Sequence, residues 1–284
     1  MGNNLSLWCI ILSLLIILMY SAKEMKGLGY IYDHLHQPEH SNIAKESHQT
    51  PSHVDHIDPS LNIFFRVDDF KVGKTLPIWF ASKDNPSTGS PPLLSREEAD
   101  AIPFSTKQLP YLLDLFSFPK DSEQAKAMET TLKQCEKKPM KGETKSCLTS
   151  LESMLDFVQS VFGSHTHFKV LTPKFDKGRI IPLQNYTISE EPKAIYAPRI
   201  LGCHRMPYPY AVFVCHTQES DNRLFEFSLV GENGDKIKAP GICHMDTSGW
   251  DSDHIAFRLI KVKPRESPVC HVIPEDNLVW LPLH

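Results

Sequence analysis

Two hydrophobic rhythms divide the chain. Between Ser95 and Gly163 apolar residues recur at three- and four-residue spacing, the period of a helix that buries one face. Ser95-Arg96-Glu97-Glu98 reads as a capping box opening a short helix, because its hydroxyl and carboxylate satisfy free N–H groups of the first turn. Asp121-Ser122-Glu123-Gln124 starts a second helix that runs to about Cys135. Thr149-Ser150-Leu151-Glu152 predicts a third, with Leu151, Met154, Leu155, Val158, Val161 and Phe162 as its apolar stripe and Gly163 as its stop. Ahead of these, residues 62–67 and 76–80 are strand-like, and Pro77 places the latter at a sheet edge. Residues 83–92 read as a turn-rich loop. Later the period shortens. Residues 210–216, 224–230, 236–244, 254–262, 269–273 and 278–281 are predicted strands, and Gly231-Glu232-Asn233-Gly234 is a hairpin turn. The pattern predicts an α+β fold: a helix-rich N-terminal half, then a mostly antiparallel, disulfide-linked β-sheet.

The first sixty residues follow neither rhythm. Residues 5–20 are almost unbroken apolar and close on Ser21 and Ala22, which reads as a secretory signal peptide over 1–22. Its n-region lacks Lys and Arg, so an uncleaved signal anchor is the rival reading. Met1-Gly2-Asn3-Asn4-Leu5-Ser6 also fits a myristoylation pattern, an accidental match given the apolar run directly behind it. Residues 23–61 are polar and aperiodic and carry His34, His36, His40, His48, His53 and His56. They read as a disordered leader that buries too little apolar surface to offset its chain entropy. Residues 62–284 are the folded domain.

Charge excludes little beyond nucleic acid. With 30 Lys+Arg against 34 Asp+Glu there is no basic stripe to track phosphates. Nothing past residue 22 is long and apolar enough to span a bilayer, so no membrane is expected after signal cleavage. No G-x-S-x-G, P-loop, dinucleotide fingerprint or H-E-x-x-H supports a hydrolase or nucleotide enzyme. Removing Cys9 with the signal leaves six cysteines, an even number that suits an oxidising compartment, with fifteen connectivities open. Cys135 and Cys147 are near in sequence and form the first pair to expect. Asn185-Tyr186-Thr187 is a glycosylation sequon, whereas proline spoils Asn85-Pro86-Ser87.

The strongest signal is chemical. The dipeptide Cys-His occurs as Cys203-His204, Cys215-His216, Cys243-His244 and Cys270-His271, spaced CH-x10-CH-x26-CH-x25-CH. Neighbouring side chains on a strand point to opposite faces. If these strands are neighbours in one sheet, the cysteines collect on one side and the imidazoles on the other. One side is then stapled by disulfides while His204, His216, His244 and His271 offer converging nitrogens. Zinc-finger spacings are missing, and a four-imidazole set suits copper(II), with nickel by shape and zinc by availability. Asp246 and Glu275 stand near two pairs, either as acceptors that would orient the rings or as surface salt-bridge partners.

The array resembles the signature of the plant BURP domain. Other stretches agree: Phe64-Phe65 with Asp69 and Gly73, Ile102-Pro103-Phe104-Ser105, and Ser150-Leu151-Glu152-Ser153-Met154-Leu155-Asp156-Phe157. So do Tyr208-Pro209-Tyr210-Ala211-Val212, Cys243-His244-Met245-Asp246-Thr247-Ser248 with Trp250, and Pro274-Glu275-Asp276 with Trp280. The resemblance implies secretion to the apoplast, cell wall or a storage vacuole, and a role in seed or stress physiology. Some members of the family bind copper and cross-link a Tyr or Trp side chain of a core peptide autocatalytically. Here that would be the chain's own leader or a separate peptide. Another branch, the non-catalytic polygalacturonase β-subunits, is associated with wall polymers. This chain lacks that branch's aromatic repeats and is more similar to the short, unknown-seed-protein-like group. A repeated core peptide is missing from the leader, where Gly27-Leu28-Gly29-Tyr30-Ile31-Tyr32 offers two tyrosines once. The expectation is therefore a copper-binding extracellular protein without clear turnover, with a copper-dependent peptide cyclase as the alternative.

Overall fold

Three helices start at a serine. The computed structural model describes residues 63–80, 91–176 and 183–283; the expected signal peptide, the leader and most of the 83–92 loop lie outside them. After strands β1 (Phe64–Arg66) and β2 (Thr75–Trp79) comes α1 (Arg96–Asp100), where Ser95 Oγ accepts from Glu98 N–H and Glu98 accepts from Ser95 N–H, the expected box. Next is α2 (Leu109–Leu115), with Pro110 in its first turn, where a missing N–H costs nothing. Helix α3 (Glu123–Glu136) is capped by Ser122 and α4 (Leu151–Phe162) by Ser150. The α4 box sits one residue later than Thr149 and Glu152 predict. Ser150 is extended, and its hydroxyl exchanges bonds with Ser153 instead. Gly163 ends α4 at φ +100°, a conformation that favours glycine.

The helix-rich first half is not found. The helices are few, and the longest has 14 residues. Strands interleave with them: β1, β2, β3 (Glu143–Leu148), β4 (Phe168–Leu171) and β5 (Lys174–Phe175). The polar segment after Cys135 has no strand period. It becomes β3 because it pairs along β9 (Val212–Gln218), a tertiary contact that overrides local preference.

The later half supplies β6 (Leu183–Ile188), β7 (Lys193–Ile195), β8 (Leu201–Met206), β9, β10 (Asn222–Gly231) and β11 (Lys236–His244). Then come α5 (Ile255–Ile260), β12 (Val269–Val272) and β13 (Leu278–Pro282). The hairpin from β10 to β11 turns through residues 231–234 as expected, with Gly234 at φ +84°. Residues 254–262, expected as a strand, form α5. The His254 ring accepts from Ala256 N–H as a cap, Ala256 and Phe257 are buried, and Lys261 ends the helix in the left-handed region.

All these strands pair antiparallel, in two sheets. One has the order β1-β12-β11-β10-β6-β2, with β5 on β11 and β7 on β10; the other is β3-β9-β8-β13-β4. Pro77 is on β2, at an edge. A single sheet carrying all four Cys-His pairs is therefore corrected: β8 and β9 carry two in one sheet, β11 and β12 two in the other. Each sheet has its own outer core. Phe65, Ile78, Tyr186, Phe227 and Val272 pack with Cys243 and Cys270, while Met154 and Val158 of α4 pack with Leu201, Cys203, Cys215 and Trp280. A third cluster joins the sheets, with Leu224 and Ile242 from one and Val279 and Leu281 from the other. The histidines are on that joining side.

Candidate metal centre

The register puts cysteine opposite cysteine. Cys203 faces Cys215 across β8–β9 and Cys243 faces Cys270 across β11–β12; both are disulfides, with Cα atoms 3.9 Å apart. Cys135, at the end of α3, is bonded to Cys147 of β3, the pair expected first. With the sulfurs committed to the outer cores, the next residue on each strand turns inward. His204 and His216 then meet diagonally across their strands, as do His244 and His271. Nε2 of His204 is 3.2 Å from Nε2 of His216, and Nε2 of His244 is 3.4 Å from Nε2 of His271. Across the sheets the ring centroids of His204 and His271 are 5.5 Å apart, and those of His216 and His244 are 6.5 Å apart. The four imidazoles expected to gather do gather.

Their neighbours make the site dry and polar at once. His244 and His271 are buried, and Phe64 and Trp250 pack against them, with centroids 5.9 Å from His271 and 4.9 Å from His244. Gly202 lies opposite His216, and a Cβ there would sit 3.6 Å from His204 Nε2 and 3.9 Å from His216 Nε2. This glycine helps to line a partly open pocket with His216, Asn222, Ile242, His244 and His271. Burial, helped by His216, lowers the pKa of His204 to about 3; although that residue keeps some exposure, its ring is desolvated. Burial and the other rings bring His244 to about 3 and push His271 well below its usual value. These three rings are therefore neutral at physiological pH, the protonation state in which imidazole ligates metal.

Three side chains that the sequence did not single out meet the outer ring nitrogens. Glu143 Oε1 lies 2.9 Å from His216 Nδ1, a close but bent approach that falls short of a well-formed hydrogen bond. Burial opposes ionisation of Glu143, but His216 and the Met140 N–H outweigh it and hold the carboxyl below its usual range. Asn222 Oδ1 is 2.6 Å from His244 Nδ1, and Asn277 Nδ2 is 3.4 Å from His204 Nδ1. Of the two roles open to Asp246 the ring-orienting one is not taken: it accepts from Ser248 N–H at an exposed turn. Glu275 is buried. Nothing in the sequence marks the other three, since each is brought in by strand pairing or a turn.

Among the described residues, no three His, Cys, Asp or Glu side chains already stand together as the ligands of one ion. The fold supplies two imidazole pairs side by side. Their chemistry nevertheless fits a nitrogen-preferring ion: three of the rings are desolvated, the thiols are spent as disulfides, and the glycine leaves room beside two nitrogens. The sequon lies elsewhere. Asn185 is within β6, opposite Pro77, and its Nδ2 donates to Glu232.

Comparison with known proteins identifies the family. The family model described as the BURP domain matches residues 63–282. The chain is 48% identical to the BURP domain-containing protein BNM2A of Brassica napus, over 79% of this chain and 80% of that one. It is 46% identical to the BURP domain protein USPL1 of Arabidopsis thaliana, over 79% and 81%. The BURP domain protein RD22 of Arabidopsis thaliana is 37% identical, over 79% of this chain and 57% of its own length. With the match spanning nearly all the described residues, the chain belongs to the plant BURP domain family.

Proposed function

We propose that this chain is a secreted copper-binding protein that acts in the cell wall, apoplast or a storage vacuole, in seed or stress physiology, without turnover of its own. One observation carries the reading: four imidazoles from two sheets converge, with their Nε2 atoms in pairs 3.2 and 3.4 Å apart, and His216, His244 and His271 line one partly open pocket. His204, His216, His244 and His271 would hold the ion. Copper(II) is favoured because it binds nitrogen donors most tightly of the divalent first-row metals. Three disulfides fit an oxidising compartment. Bound copper would supply one-electron chemistry, while the protein contributes ligands, orientation and exclusion of water.

The test is copper titration of the chain expressed from Lys23, with intact mass recorded under air. The expected result is about one copper per chain with nitrogen hyperfine structure in its spin-resonance spectrum, lost in His244→Ala, and an unchanged leader mass. Binding that survives loss of the array histidines would assign the metal to the His-rich leader and overturn the reading. A copper-dependent loss of two hydrogens within residues 23–60 would replace it with the peptide cyclase.

A further inference from the structure

Hydrogen-bond polarity around the four rings fixes where their protons sit. Asn222 Nδ2 donates to the carbonyls of Gln218 and Ser220, at 3.2 and 2.8 Å, so its Oδ1 has to face His244. An amide oxygen only accepts, so His244 carries its proton on Nδ1 and presents a bare Nε2. The 3.4 Å contact to His271 then needs a proton on His271 Nε2. That leaves His271 Nδ1 without a proton, at an atom that is buried and has no hydrogen-bond partner to require one.

Asn277 acts in the opposite sense. Its Oδ1 accepts from Arg205 N–H at 2.8 Å, which turns Nδ2 toward His204 Nδ1. His204 Nδ1 is therefore the acceptor, and its Nε2 donates to Nε2 of His216. The His216 proton falls on Nδ1, beside the Glu143 carboxylate. The two amides set His244 and His204, and the pair contacts then set His271 and His216, so that two rings donate and two accept.

We propose that Asn222 and Asn277 are positioning residues that split the cluster into a ready pair and a held pair. His216 and His244, one from each sheet, already point unprotonated Nε2 atoms into the pocket. His204 and His271 have to move a proton from Nε2 to Nδ1 before Nε2 can ligate, and Asn277 opposes that shift in His204. A metal ion is thus captured by the ready pair first. The inference rests on the metal-binding reading, and it extends that reading to the order of capture.

The test begins without metal. Ring nitrogen shifts of the 15N-labelled, metal-free chain report each tautomer, and the expected pattern is Nδ1–H for His216 and His244, Nε2–H for His204 and His271. One tautomer shared by all four, or Nε2–H at His244, overturns the proposal whatever the protein does with copper. Asn277→Asp puts an acceptor before His204 and should switch that ring to Nδ1–H and speed copper(II) association. Asn222→Leu should weaken copper affinity by about ten- to a hundredfold, the usual range for groups that orient a ligand. Unchanged copper binding in both variants also overturns it. The tautomer pattern together with no copper binding anywhere would sink the capture order by removing the metal reading beneath it.

Discussion

Acid should unfold the metal-free protein far more readily than a domain with three disulfides suggests. In the folded chain His204 and His244 have pKa values near 3, set chiefly by burial, against 6.5 when exposed. The unfolded chain binds protons at these rings below pH 6.5, while the folded chain does not until about pH 3. Stability from the two rings is therefore complete above pH 6.5 and is lost progressively as pH falls toward 3. Between pH 7 and pH 5 each ring costs about 2 kcal/mol, so the pair costs about 4 kcal/mol, out of about 5–15 kcal/mol for a typical domain. His271 and His254, also lowered by burial, add in the same direction. Urea denaturation in the presence of a chelator, at pH 7 and pH 5, measures the loss directly. Calorimetry in two buffers should find at least about two protons taken up on unfolding at pH 5. His204→Asn, which cannot titrate, should reduce the pH-dependent loss by about 2 kcal/mol. Equal stability at the two pH values, or uptake of fewer than about one proton, would refute the claim that these rings are held neutral by desolvation.

Three further outcomes are expected. Gly202→Ala sets a methyl in ordinary contact with His204 and His216, so it should leave the urea midpoint almost unchanged yet weaken copper affinity at least about tenfold by filling the space beside two nitrogens. Replacing Cys203 and Cys215 together by serine opens a cross-link of sequence separation 12 and should cost about 3 kcal/mol in denaturant unfolding; Cys243 with Cys270, separation 27, should cost slightly more. Trp250 packs 4.9 Å from His244, so copper(II) titration should quench tryptophan emission, and Trp250→Phe should remove most of that response while leaving the affinity within about threefold, as expected for a packing neighbour rather than a ligand.

Part of this is legible in the sequence alone. Rare residues at fixed spacing betray the cluster, and local chemistry gives the cap at Ser95, the helix start within residues 121–124 and the edge position of Pro77. What failed depended on distant contacts. Residues 254–262 alternate loosely enough to pass for a strand, but His254 caps Ala256 N–H and Trp250 packs on His254 and Phe257, which settles the segment as a helix. Glu143 falls in a polar segment with no strand period of its own. Only pairing of residues 143–148 along β9, with Cys147 bonded to Cys135, brings it to His216. The amides of Asn222 and Asn277 are set by carbonyls and an N–H from turns and a neighbouring strand, so no spacing rule finds them.

The adjacency of cysteine and histidine also answers a question about register. Side chains alternate along a strand, so a slip of one residue would send imidazoles to the outer cores and sulfurs inward. Hydrophobic alternation alone resists this weakly here, because both faces of β8, β11 and β12 are covered. The disulfides supply the missing constraint. Cys203 bonded to Cys215 and Cys243 bonded to Cys270 permit one alignment per strand pair, and that alignment is the diagonal that brings Nε2 of each histidine pair within 3.4 Å. The sulfurs therefore need not touch the rings to determine where the four imidazoles meet. Reduction should loosen both diagonals together, so the copper affinity proposed for the rings should fall on reduction, as titration of the oxidised and reduced chain would show, even though the sulfurs lie on the opposite faces of the strands.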